Sequence, residues 1–331
     1  MSRRVYITDF WQGDPELEQG ILGDLADVTA LGAAHEDELL GTIDDADALL
    51  VWHDIKLSER SIDALKHCKA IVRIGVGFDN VPLQHARQRG IPVCNVPDYG
   101  VEEVADHTMA LLLALVRNLP EFQTDLRRQP LHWDARRGRR TPRLRGKVLG
   151  IIGVGRIGSA VALRGKAFGL DVVGHDPYVP DGRGKSLGMR MVDSRAELLG
   201  QSDFVSIHTP LTDETRGMID AAELEHFKPG SILVNTARGP ICDTAALLAA
   251  LETEKLYGVG LDVFPHEPPH EDPLVGASRR PGHVASYRCV LTPHAAFYSE
   301  ESFEEMRTKA AHEVGRALRG EPLRNVVNGV G

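Results

Sequence analysis

The stretch Val148–Gly158, VLGIIGVGRIG, constrains this chain more than any other. Val148, Leu149, Ile151 and Ile152 form a short apolar run around Gly150, the pattern of a strand buried on both faces. Gly153, Gly155 and Gly158 then give G-x-G-x-x-G, and residues 156–168 have helix-forming character. The next apolar run, DVVGHD, ends at Asp176, close to the spacing of about 20 residues expected for an acid that binds ribose hydroxyls. Each glycine has a physical task. Gly153 permits the tight turn, Gly155 lets backbone approach a pyrophosphate, and Gly158 lets helix and strand pack closely, with the helix N-terminus facing the phosphates. A bare structural βαβ turn would also need glycines. The ordered set of strand, glycines, helix, strand and acid points further, to a dinucleotide. A carboxylate at Asp176 would bond a free 2′-hydroxyl and repel a 2′-phosphate, and Pro177-Tyr178 follow it rather than a basic residue. NAD is therefore expected over NADP.

A chain of 331 residues is long for one core and suggests two domains. Its net charge of −9 argues against a general nucleic-acid or membrane-surface role. The start, MSRRVYITDF, is interrupted by Asp9 and carries no signal-type segment. The longest apolar stretch, Met109–Val116, is too short to span a bilayer. Neither nucleic acid nor membrane is expected as a partner. Cys68, Cys94, Cys242 and Cys289 are scattered without a C-x-x-C pair, as reduced thiols in the cytoplasm would be. His266 and His270 are four apart, but Pro268 and Pro269 exclude a helical metal pair, so no metal is assigned.

The first part alternates strand-like and helix-like segments. Residues 5–10, 28–31, 48–52, 70–75 and 92–97 read as strands, and 15–22, 35–43, 58–67 and 82–89 as helices, with Ser58 as an N-cap. Alternating βα units imply a parallel doubly wound sheet. A long helix is expected over 101–118, its face marked by Val104, Thr108, Leu111, Leu112 and Leu115, crossing between the domains. Residues 119–145 form a polar arm rich in arginine (Arg127, Arg128, Arg136, Arg137, Arg139, Arg140, Arg143 and Arg145). In an acidic chain it reads as a solvated or subunit-contacting arm rather than a nucleic-acid arm. Further strands are expected at 148–153, 171–176, 189–192, 204–209, 231–237, 258–264 and 289–292. The final amphipathic helix, 299–320, is expected to pack back on the N-terminal domain. The expected architecture is thus α/β with two doubly wound parallel sheets. A Rossmann NAD-binding domain, 100–295, is inserted into a flavodoxin-like substrate domain made of 1–99 and 296–331.

In open α/β sheets, ligands sit beyond the carboxyl ends of the strands. Arg238 ends SILVNTAR, Glu267 follows YGVGLDVF, and His294 ends CVLTPH. A guanidinium can hold a carboxylate and polarise the adjacent carbonyl. An imidazole can exchange a proton near neutral pH. A carboxylate beside it would stabilise the imidazolium and orient the ring. Each alone could be a surface ion pair, a solvated loop acid or a helix-capping residue. Together, beside a dinucleotide fold, they suit hydride transfer to a 2-keto acid.

Five motifs in order, RIGVGFDN, LGIIGVGRIG, LVNTARG, GLDVFPHEP and LTPHAA, resemble those of the D-isomer-specific 2-hydroxyacid dehydrogenases over nearly the whole chain. VRIGVGFDNV, VCNVPDYGVEEVADHT, KAFGLDVVGHDPYVPDG and TPHAAFYSEES look closest to the C-terminal-binding-protein branch. The resemblance implies that Arg238, Glu267 and His294 are the catalytic set. It implies that the amides of Val76 and Gly77 hold the substrate carboxylate and that His53 and Arg73 line the substrate pocket. Thr108, Arg156, Ile157, Asp176, Thr209, Pro210, Thr215, Ala237, Asp262 and His294 match cofactor-contacting positions. A homodimer through the NAD-binding domains and a cleft that closes on ligand are implied as well. Two departures stand out. Phe297 replaces the branch's Trp, keeping an aromatic wall of different shape. Residues 271–288 look longer than usual and are expected to be a surface loop, or else part of a subunit contact or cleft rim. The expected activity is an NAD-dependent interconversion of a small 2-keto acid and its D-2-hydroxy acid. The alternative is an NAD(H)-gated corepressor, as in animal members of that branch. Those carry long tails, whereas this chain begins almost at its first strand and ends just after its last helix, which favours the enzyme.

Overall fold

Short apolar runs between helical segments can satisfy their backbone groups only by pairing side by side, and the described strands pair parallel with one another. The structure, a computed structural model, describes residues 2–10, 13–127, 129–130, 133–137 and 141–330. Arg128, Arg139 and Arg140 of the expected arm lie outside the described residues. The chain divides into two compact units, Met1–Gly100 with Tyr298–Gly331, and Val101–Phe297.

The first unit holds β1 (Arg3–Asp9), β2 (Ala26–Ala33), β3 (Ala48–Val51), β4 (Ala70–Arg73) and β5 (Val93–Asn95), in the order β2-β1-β3-β4-β5. This is the flavodoxin-like order, whose direction reverses between β1 and β3. Leu49, Val51, Ile71 and Val93 lie in one apolar cluster with Leu39, Ile62 and Leu65. Ser58 caps the helix Glu59–Ala64 by accepting from the Arg60 N–H. The helix expected over 35–43 is instead two 3₁₀ turns, Glu36–Glu38 and Ile43–Asp45, because Gly41 at φ 84° breaks the run. The last helix, Glu300–Arg319, begins in a reciprocal Ser299–Ser302 cap and packs on β3, β4 and the helix Glu16–Leu22. Its apolar face, with Met306, Ala310, Val314 and Leu318 buried, agrees with the sequence pattern.

The second unit holds β6 (Val148–Ile152), β7 (Asp171–His175), β8 (Arg190–Met191), β9 (Phe204–Ile207), β10 (Ser231–Asn235), β11 (Leu256–Leu261) and β12 (Cys289–Leu291), in the order β12-β11-β10-β9-β6-β7-β8. β6 is covered on both faces. Leu149 and Ile151 pack with Met109, Leu111, Leu112 and Leu115 of the helix Val101–Val116, while Ile152 packs with Leu198 and Leu247. That long helix ends where Asn118 takes a left-handed φ of 54°, and a second helix, Leu119–Leu126, follows. The front of the expected arm is therefore helical, started by a proline in its first turn. The expected loop 271–288 is likewise corrected. It carries helices Pro273–Ser278 and Ala285–Arg288, with Leu274, Val275, Ala277 and Ala285 buried in the core. Asp272 starts the first of these by accepting from the Leu274 and Val275 N–H groups, and Pro273 fits its first turn.

Candidate active site

The strand order of the second unit reverses between β6 and β9, and the glycine motif sits at that switch point. Gly153, at φ 90°, turns the chain out of β6, and a Cβ there would lie 2.8 Å from the backbone of His208. A Cβ on Gly158 would lie 2.0 Å from the Gly153 carbonyl oxygen, so only glycine lets the helix Arg156–Ala167 start this close to the strand. Among the described residues a Cβ at Gly155 would meet nothing within 4 Å, and no side chain caps this helix N-terminus, which leaves it available to an anion. Arg156 and Ile157 open that helix. Thr209, just past β9, has its hydroxyl buried without a partner among the described residues. Thr215 closes the following turn by donating to the Pro210 carbonyl at 2.7 Å.

Asp176 stands just past β7. Its Oδ2 accepts from the Val154 N–H at 2.8 Å and its Oδ1 from the Tyr178 N–H at 2.9 Å. Tyr178 in turn donates its hydroxyl to Glu214, so two carboxylates gather at this strand end. An anchored acid, an uncapped helix N-terminus, a Cβ-free approach and an orphaned Thr209 hydroxyl fit a dinucleotide with free ribose hydroxyls. Thr108 is buried, donating to the Val104 carbonyl and paired with Thr236 at 2.8 Å, and so supports the turn after β10.

That turn presents Arg238. Asn235, fully buried at the end of β10, accepts from the Ala237 N–H at 2.9 Å and donates to the Arg238 carbonyl at 2.9 Å. The next residue, Gly239, sits where a Cβ would strike the Phe264 carbonyl carbon at 1.9 Å. This close approach brings the turn after β10 against the segment after β11, which carries Glu267. Glu267 Oε1 accepts from the Phe264 N–H at 2.9 Å, and Oε2 meets His294 Nδ1 at 2.7 Å. A carboxylate can only accept, so Nδ1 is the donor. Burial pushes the Glu267 carboxyl up. The hydrogen bonds from His294 and Phe264 and the charges of His294 and Arg238 outweigh that, and hold it below the usual glutamate range.

His294 itself adopts φ 53°, a left-handed backbone that few non-glycine residues take. Asp262 is what holds it there. Buried at the end of β11, it accepts from the Thr292 hydroxyl at 2.6 Å and from the Ala295 and Ala296 N–H groups at 2.9 Å each. The His294 N–H donates to the Asp262 carbonyl at 2.7 Å. Phe297 stands edge-on to the His294 ring, centroids 6.2 Å apart. The structure therefore brings Arg238, Glu267, His294 and Phe297 together, and it gives Asp262 loop-holding bonds on both oxygens. Sequence reasoning passed over Asn235 and His107, which bonds the Thr292 hydroxyl at 2.9 Å. Both lie in quoted motifs, but nothing in their spacing shows their partners.

The remaining sequence candidates lie in the first unit. Arg73 ends β4, is buried, and donates to the Ile74 carbonyl at 2.5 Å. Val76 and Gly77 follow, with the Val76 carbonyl accepting from Asn95 at 2.7 Å. His53 follows β3, and Asp9 fixes its loop. The Asp9 carboxylate accepts from the N–H groups of Trp52, Asp54 and Ile55 at 3.1, 2.8 and 2.9 Å, while Asn80 donates to the Trp52 and Ile55 carbonyls at 2.7 and 2.9 Å. Among the described residues, no group of three His, Cys, Asp or Glu is placed to hold a metal ion. Among them, too, no helix is long and apolar enough to cross a membrane.

A doubly wound sheet with this glycine turn and an Arg–Glu–His set at its strand ends has the architecture of the nucleotide-dependent dehydrogenases. Residues 109–296 match the family described as D-isomer specific 2-hydroxyacid dehydrogenase, NAD binding domain. The chain belongs to that family and carries its NAD-binding domain. It is 39% identical over 308 residues to a D-3-phosphoglycerate dehydrogenase of Methanocaldococcus jannaschii, covering 93% of this chain and 56% of the relative. It thus spans about half the length of that relative. Among solved structures, a D-lactate dehydrogenase of Aquifex aeolicus complexed with NAD and lactic acid matches with a TM-score of 0.83 and 31% identity over 96% of each chain. A glyoxylate reductase of Paecilomyes thermophila matches with a TM-score of 0.85 and 30% identity over 99% of each chain.

Proposed function

We propose that this chain is an NAD-dependent dehydrogenase that interconverts a small 2-keto acid and its D-2-hydroxy acid. The observation that carries this is the 2.7 Å bond between Glu267 and His294 Nδ1, with the Arg238 charge beside the same carboxylate. Bound NAD supplies the hydride acceptor, and NADH the donor. The chain's own residues do the rest. Arg238 holds the substrate and polarises its carbonyl. With Nδ1 committed to Glu267, His294 exchanges the proton with the substrate oxygen through Nε2. Glu267 orients the ring and balances its charge in the protonated form. Val76 and Gly77 amides bind the substrate carboxylate, and His53, Arg73 and Phe297 line its pocket. The first unit is the substrate domain, and the second the NAD-binding domain. Gly153, Gly155, Arg156, Ile157, Gly158, Asp176, Thr209, Pro210 and Thr215 surround the cofactor, and Thr108, Ala237 and Asp262 support it from behind.

Within the family we assign the chain to the C-terminal-binding-protein branch, on the TPHAAFYSEES and VRIGVGFDNV motifs. The relatives named above are dehydrogenases and a reductase, which favours the enzyme over the corepressor alternative. We also propose a homodimer through the NAD-binding units. A cytoplasmic home is supported by four reduced cysteines whose thiols burial pushes up to about 12. The test is NADH consumption with a panel of 2-keto acids, alongside His294→Ala. Wild-type protein should turn over at least one acid. The variant should lose most turnover in both directions, by a factor of about 100 or more, and still bind NADH. If wild-type protein oxidises NADH with none of the panel, the activity is misassigned.

A further inference from the structure

The strand order of the first unit reverses between β1 and β3, and open α/β sheets take ligands beyond the carboxyl ends at such a point. β1 and β3 run parallel with Ile7 opposite Leu50, so three residues further on Phe10 stands level with His53. Their rings meet there. Phe10 lies 4.8 Å from Trp52 and 5.1 Å from His53, centroid to centroid. Phe303 of the last helix lies 5.4 Å from Trp52 and 6.4 Å from Phe10, and Tyr298 lies 5.8 Å from Phe303. Such spacings are those of offset and edge-to-face aromatic pairs. Phe10 is 42% exposed and Tyr298 58%, so the cluster ends in open aromatic surface at the switch point rather than in a sealed core. The Trp52 indole N–H is buried without an acceptor among the described residues.

The backbone beneath this surface is fixed, and the nearby guanidiniums are engaged: Arg307, 5.7 Å from the Phe303 ring, binds Glu18, and Arg73 donates to the Ile74 carbonyl. The Asp9 carboxylate and the Asn80 amide fix the backbone of residues 52–55 beneath it. The segments that follow the strands, Phe10, 52–54, 74–80 and 96–99, contain no lysine and no arginine, but do contain Asp54, Asp79 and Asp98. A phosphorylated side chain would face the Asp54 and Asp79 carboxylates there, Asp98 being paired with Lys309. A flat apolar ring would find the faces and edges of others.

We propose, resting on the dehydrogenase reading above in which His53 touches the substrate, that this aromatic platform binds the substrate's side chain. It selects an aromatic 2-keto acid over small or phosphorylated ones, and Phe10 is its principal contact.

The experiment compares phenylpyruvate, pyruvate and 3-phosphohydroxypyruvate as substrates of the full chain with NADH. Wild type, Phe10→Ala, Phe10→Tyr and Tyr298→Ala are each measured, together with calorimetry of D-phenyllactate binding. In wild type, kcat/KM for phenylpyruvate should exceed the other two by about tenfold or more, the scale on which an apolar pocket discriminates. Phe10→Ala should cut that preference about tenfold, chiefly through KM, and weaken phenyllactate binding in step. Phe10→Tyr should restore it. Tyr298→Ala should cut it in the same direction, and decides the matter if Phe10→Ala does not fold. A preference near one, or equal losses on all three acids, overturns the platform while the dehydrogenase stands. If no keto acid turns over, the dehydrogenase reading falls. Phenyllactate binding that depends on Phe10 would then keep the platform, and its absence would end that as well.

Discussion

On the proposed mechanism, Glu267 serves both chemistry and stability. Its carboxylate accepts from a backbone N–H and from His294 at once. Glu267→Gln keeps the shape and removes the charge that balances a protonated ring. The fall of keto-acid reduction at high pH should then begin at lower pH, while oxidation, which needs a neutral ring, gains there. A pH–rate profile identical to wild type would mean that the two groups are not coupled. The same carboxyl sits below its ordinary value of 4.5 in the folded state. It therefore stabilises the fold fully above that value and loses its contribution as pH falls through the lower, folded one. Melting curves of Glu267→Gln should show a flatter acid limb. Asp176 makes a second residue-scale case. Asp176→Ala removes two backbone bonds and the charge that repels a 2′-phosphate, so NADH affinity should fall and the gap to NADPH should narrow. Wild-type preference for NADPH would contradict the assignment. Asp176 was legible because it ends an apolar run before a proline, and Glu267 because it lies in the polar segment that follows one. Asp262 was legible as an acid near the site. That both its oxygens bind residues 292–296 was not, because those partners lie 30 or more positions away.

At the scale of elements, the sequence period located the strands well and their ends poorly. The apolar pattern predicts six residues for β9 and the strand has four, Phe204–Ile207, although the His208 N–H still bonds the Ile152 carbonyl of β6 at 2.7 Å. The segment after β11 looks like loop in the sequence because its polar and proline residues are N-terminal caps, and caps resemble loops until their helix is found. The close approach of the glycine turn to its helix makes Gly158 a sensitive position. Gly158→Ala would set a methyl 2.0 Å from the Gly153 carbonyl oxygen, where only backbone can yield. NADH affinity should drop by well over tenfold, which is about 1.4 kcal/mol per factor of ten. Titration of NADH fluorescence against wild type and variant measures this directly, and equal affinities would mean that the turn can relax without loss.

At the scale of the molecule, the first unit is built from both ends of the sequence, and one buried pair joins them. Arg307 of the last helix forms a bidentate bond with Glu18, 2.7 Å on each arm, with Glu18 almost fully covered. Glu18→Ala strands a buried guanidinium and should cost about 3–5 kcal/mol, read as a lowered midpoint in denaturant. Glu18→Leu with Arg307→Met should recover most of it, and a double variant as weak as the single would show that charge is not the issue. The C-terminal segment also pairs with β5, through Val327 to Val93 and Asn328 to Val93 and Ile91. This arrangement has a consequence for synthesis. The first hundred residues leave the ribosome with β3 and β4 lacking the last helix and β5 lacking the C-terminal segment that pairs with it. Their apolar faces wait through some two hundred residues of inserted chain before residues 298–331 arrive to close them. The nascent N-terminal sheet is thus a ready client for a chaperone, and the second unit can finish folding before the first.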